Sequence, residues 1–156
     1  MIGALGAGLA VAACAPAPPA PAAHANWYNT EVHVAPDAVA GSYTVDTACK
    51  LADATTSTHT DTLTHVVGDE TIKTFTWPEP DPIDCTATET AGPPMTTPTY
   101  WLTGTAPAPF GTPPTFVPIT APTAAPQTCH ETIIGTYNDQ TPPLDYWDCI
   151  FTVKNT

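Results

Sequence analysis

Residues 41–51 read GSYTVDTACKL, and their alternation decides the fold class. In a β-strand, residues two apart share a face. Tyr43, Val45, Thr47, Cys49 and Leu51 therefore point one way, and Ser42, Thr44, Asp46 and Lys50 the other. The same period governs the end of the chain. There Trp147, Cys149, Phe151, Val153 and Asn155 form the core-facing set, while Asp148, Thr152 and Lys154 suit water. Twenty prolines and thirty threonines discourage helix, and no window outside the leader carries a 3.6-residue apolar period. The expectation is an all-β, antiparallel β-sandwich of Ig-like or related type, with strands at 30–35, 41–51, 60–67, 71–77, 85–90, 99–104, 115–119, 129–136 and 147–154. Seven prolines between Thr105 and Gln127 exclude a central strand there. That interval reads as a Pro-rich loop, 105–127, holding at most one edge strand.

Charge narrows the partners. The chain has no arginine, only Lys50, Lys73 and Lys154 as cations, and a formal net charge of −12, which argues against nucleic acid and anionic membranes. Residues 1–25 read as a signal peptide or lipoprotein leader with a Pro/Ala tether, and 26–156 as a single sandwich domain. The apolar run from Ile2 to Ala13 is too short to span a bilayer. Cleavage after Ala25 competes with lipidation of Cys14 in VAAC, and Cys14 would be the chain's only membrane anchor. The expected location is secreted, envelope-associated or lipid-anchored at the outer face of the membrane.

Cys49, Cys85, Cys129 and Cys149 make an even set, as two disulfides in an exported chain require. Nearest pairing favours Cys49 with Cys85 and Cys129 with Cys149 because it closes the shorter loops. A symmetric hairpin turning near Pro142 would set Cys149 opposite Ile133, however, so Cys49 with Cys149 stays open. No C-x-x-C spacing supports zinc.

GSYTVDTAC at 41–49, DCTATET at 84–90 and FTVKNT at 151–156 together resemble the threonine-rich repeat domains of actinobacterial surface proteins, relatives of the Cna-B modules. The resemblance implies a prealbumin-like sandwich. It also implies the parts of an internal isopeptide bond, in which a first-strand lysine attacks a last-strand asparagine beside a buried acid. Glu89 and Asn155 match two of these parts, but TEVHVA at 30–35 contains no lysine, so no cross-link is expected. Glu89 shares its parity with Cys85 and Ala87. Without a partner it is expected at a strand end, exposed or accepting backbone hydrogen bonds, since an unpaired buried carboxylate is costly.

Two other constellations stand out. His59, Asp61 and His65 alternate in THTDTLTH and share a strand face, a set that could ligate a transition metal, although a solvated face is the plainer reading. Trp77 and Trp101 are candidates for a binding platform, against the commoner use of tryptophan in a core. No G-x-S-x-G elbow or glycine-rich phosphate loop occurs, and no catalytic residue or cofactor is assigned. The expected function is a non-catalytic extracellular or cell-envelope β-module with a structural or adhesive role. Its partner would be an extracellular protein or glycan. The alternative is a secreted small-ligand or glycan-binding protein, and the third is a metal-dependent enzyme using His59 and His65.

Overall fold

The alternation at 41–51 folds as a strand whose odd residues are buried from Tyr43 to Leu51. The computed structural model describes residues 27–78, 81–93, 97–106, 115–130, 135–137 and 144–156; Cys14 and the rest of the leader at 1–25 lie outside them. The described residues form ten strands: β1 (Trp27–Val34), β2 (Gly41–Leu51), β3 (Thr56–His65), β4 (Thr71–Thr76), β5 (Pro82–Ala91), β6 (Thr99–Ala106), β7 (Thr115–Pro118), β8 (Thr128–His130), β9 (Gly135–Tyr137) and β10 (Leu144–Lys154). The larger sheet runs β4-β1-β10-β6-β7, with β9 against the start of β10, and the smaller runs β3-β2-β5-β8. No helix among the described residues is long and apolar enough to cross a membrane.

The inner faces of the two sheets meet in one core. Tyr28, Val32, Val34, Tyr100, Trp147, Phe151 and Val153 come from the larger sheet, and Tyr43, Val45, Leu51, Leu63 and Ala87 from the smaller. This is the β-sandwich that the alternation predicts. One pairing departs from antiparallel: β1 lies parallel to β10, in register from Trp27 opposite Tyr146 to Val34 opposite Val153.

The stretch expected as one strand at 129–136 divides between the sheets. β8 pairs with β5 in the smaller sheet, and β9 pairs with β10 in the larger. That division explains the cysteines. Cys49, Cys85 and Cys129 stand opposite one another in register across β2, β5 and β8. The bonds formed are Cys49–Cys85 within the smaller sheet and Cys129–Cys149 across the sandwich. Cys129 and Cys149 need not be hairpin neighbours, because they face each other from opposite sheets.

The outer face of β10 is not the wet surface its polar residues suggest. Ile150 is 4% exposed and Thr152 5%, because the β6–β7 hairpin curls back over this face. Phe116 of β7 brings its ring edge-on to His33 of β1, with centroids 4.7 Å apart. β7 is the one edge strand among the described residues of the Pro-rich interval, and its curl gives the larger sheet a second, smaller buried layer.

Candidate functional site

Two polar assemblies emerge from this architecture, one at the end of the core and one under the hairpin. The first joins β5 to the residue just past β10. Asn155, 2% exposed, donates from Nδ2 to Oε1 of Glu89 at 2.8 Å. The Glu89 backbone N–H donates to the Tyr100 hydroxyl at 3.3 Å, and Tyr43 donates to the Val39 carbonyl at 2.7 Å. Val39 N–H in turn donates to the Asn155 carbonyl at 3.0 Å. Burial pushes the Glu89 carboxyl above its ordinary range, and the Asn155 hydrogen bond offsets this only in part. Tyr43 and Tyr100 are raised too, first by burial, with the Glu89 charge adding.

Glu89 lies near a strand end as expected, two residues before the end of β5, but it is half-buried, and the hydrogen bond its carboxylate accepts does not come from the backbone. Parity turns it inward, and a side-chain amide is its partner. Its Oε2 and the Oδ1 of Asn155 are buried without a partner among the described residues. Two of the three parts of the cross-linking set thus meet, and the third is missing: β1 reads WYNTEVHV, and Lys154 is engaged at 2.5 Å by Asp37.

Gly92 closes over this pair so tightly that a Cβ there would collide with Oε1 of Glu89 and come within 2.8 Å of Asn155 Nδ2. Gly92→Ala should therefore destabilise the domain by about 1–3 kcal/mol, as overpacking does. A urea titration checks this, and an unchanged midpoint would mean that the lock is loose.

The second assembly lies on the outer face of the larger sheet. His33 is fully buried, with Nε2 at 2.8 Å from Glu31 Oε2 and Nδ1 at 3.2 Å from Glu70 Oε1. Carboxylates only accept, so both bonds form together when both ring nitrogens carry protons. Glu31 Oε1 also accepts from Thr74 at 3.3 Å. Asp148 joins the group from β10, its carboxyl pushed up to about 7 by burial first and the Glu31 charge next, with His33 pulling the other way. Two carboxylates thus share one imidazole, with a third carboxyl close enough to feel its charge. Beside them, between hairpin and sheet, opens a cleft of about 400 Å³ lined by Glu70, Trp101, Thr103, Phe116, Pro118 and Thr152 among others. Nothing in the sequence beyond the i, i+2 spacing of Glu31 and His33 signals this cluster, because Glu70, Phe116 and Asp148 arrive from distant segments.

The metal set is not assembled. His65 is buried in the core, its two ring nitrogens 3.1 Å from Thr71 Oγ1 and 3.2 Å from the Ala38 carbonyl. His59 instead stacks on Phe75 with centroids 3.6 Å apart and contacts Asp61 at 3.2 Å. Six residues along a strand separate the two imidazoles by roughly 20 Å, too far for one ion, although they share parity. Among the described residues no group of three or more His, Cys, Asp or Glu could hold a metal. Trp77 is no platform either, since it is buried and donates to Thr30 Oγ1 at 3.0 Å. Trp101 alone of the pair reaches a cleft.

Comparison with protein-family models, with curated proteins and with solved structures finds no match to this chain.

Proposed function

We propose that this chain is a non-catalytic, exported structural or adhesive β-module that bears tension along its length, akin to the threonine-rich surface repeats it resembles. The observation that carries the reading is the parallel pairing of β1 with β10, adjacent at the middle of the larger sheet. The chain enters β1 and leaves β10 at opposite ends of this pair. A pull between the two shears all eight residues of β1 against β10 at once, whereas an antiparallel terminal pair would unzip bond by bond. Two disulfides suit an oxidising, extracellular setting, and Cys129–Cys149 ties β10 to the opposite sheet. The Glu89–Asn155 contact pins the residue just beyond β10, where relatives of the Cna-B type would place a covalent bond.

Single-molecule pulling tests the reading. Handles placed before Trp27 and after Thr156 load the pair in shear, and handles at exposed Ala40 and after Thr156 load it from one end. Shear should require the higher rupture force. Reduction should then lengthen the extension by the 36- and 20-residue bridged separations, about 190 Å in all at roughly 3.4 Å per residue. Equal forces in the two geometries would sink the mechanical role.

A further inference from the structure

The cleft under the β6–β7 hairpin has a composition that the mechanical role does not explain. Its volume, about 400 Å³, is in the range of small-ligand sites. Two aromatic residues, Trp101 and Phe116, line it with Pro118 and one carboxylate, Glu70. The Glu70 side chain is 35% exposed, and fully buried His33 holds it in place through Oε1.

Two observations choose the chemistry of the occupant. Thr103 and Thr152 are only 6% and 5% exposed and their hydroxyls are bonded to each other at 2.6 Å, so exposed Thr115 is the one threonine of the described lining left to read the hydroxyls of a sugar. The charge is one-sided: Glu70 is the one charged side chain among the described lining residues, Glu31 shares its imidazole, and no lysine is among them. Lys154, on the same face of β10, is already engaged by Asp37. Aromatic rings beside a carboxylate recognise an ammonium group, because ring quadrupole and counter-ion both favour positive charge at the same point.

We propose that this cleft is a binding site for organic cations, an alkylammonium or quaternary ammonium group seated against Trp101 and Phe116 with Glu70 as its counter-ion. Such a group occurs on small amines and on exposed side chains of other proteins, and the site reads the shared cation. His33 is a positioning residue: it fixes the Glu70 carboxylate and does not touch the ligand.

The test is a titration of the full chain with choline, with the uncharged isostere in which carbon replaces the choline nitrogen, and with cellobiose, followed by indole shifts in NMR. Choline should bind saturably in the millimolar range, at least tenfold more tightly than the isostere, and more weakly as salt rises. Glu70→Gln and Phe116→Leu should each weaken choline about tenfold while leaving the strand amide pattern intact. If Glu70→Gln disturbs the fold, Phe116→Leu and the isostere comparison still decide. Equal binding of choline and its isostere, preference for cellobiose, or no saturable shift with any probe would overturn the proposal.

Discussion

Removing the Cys129–Cys149 bridge by paired alanine substitution should cost the domain about 3 kcal/mol, and removing Cys49–Cys85 about 4. These figures come from the chain-entropy cost of closing loops with separations of 20 and 36 residues. Losing both, about 7 kcal/mol, is comparable with the whole stability of an ordinary domain, about 5–15 kcal/mol. The doubly substituted chain should therefore be largely unfolded where the oxidised protein is stable. Denaturant midpoints measure each step, and a combined loss below about 1 kcal/mol would mean that the bridges are ornaments on a self-sufficient core.

The two bridges should also fail differently. Cys49 and Cys85 already face each other in a ladder that runs most of the length of β2 and β5, so their strands stay paired when the bond is gone. Cys129 sits on β8, three residues long, and its bond is the one disulfide between the sheets among the described residues. Without it β8 has little to hold it, and proteolysis near residues 128–130 should accelerate in that variant alone.

What the sequence disclosed follows from which faces are wet. β2 was legible because its sheet buries one side only, so burial and alternation coincide from Tyr43 to Leu51. β10 was half legible. Its inner set, Trp147, Cys149, Phe151 and Val153, is apolar and buried, but its outer set carries Asp148 and Thr152 and is covered as well. Polar residues on a covered face mislead a parity argument when they find partners there, as Thr152 does in Thr103. The cover itself is the short β7, whose TFVP sits in a proline-rich interval with no signal of where it will fold back. Glu89 is the converse case. Parity placed it inward, the cost of a lone buried charge argued it outward, and Asn155, 66 residues away, removed the objection.

Replacing Asp148 with asparagine should flatten the pH dependence of stability and make the protein more stable at pH 8 by up to about 4 kcal/mol. The folded carboxyl titrates at about 7 against 3.8 for the free group, a difference of about three pH units at ~1.4 kcal/mol each. Its folded value lies above its unfolded one, so between the two the folded state keeps a proton that the unfolded chain has released. Stability then falls as pH rises through that window, from about 4 to about 7, and is level on either side. Burial sets the direction, Glu31 on the adjacent β1 adds to it by repelling the charge, and His33 offsets only part of the cost. Oδ1 of Asp148 finds no hydrogen-bond partner among the described residues, so no hydrogen bond at that oxygen adds to the pull of His33. Asparagine has almost the same shape and cannot ionise. Glu89, also raised, contributes a fall of the same sign in both proteins, and it cancels when the two profiles are subtracted. The difference between wild-type and Asp148→Asn unfolding free energies, measured from pH 4 to pH 8, should therefore grow with pH up to about 7 and then level off. Parallel profiles would show that the Asp148 carboxylate is solvated, and that the hairpin does not seal the outer face of β10.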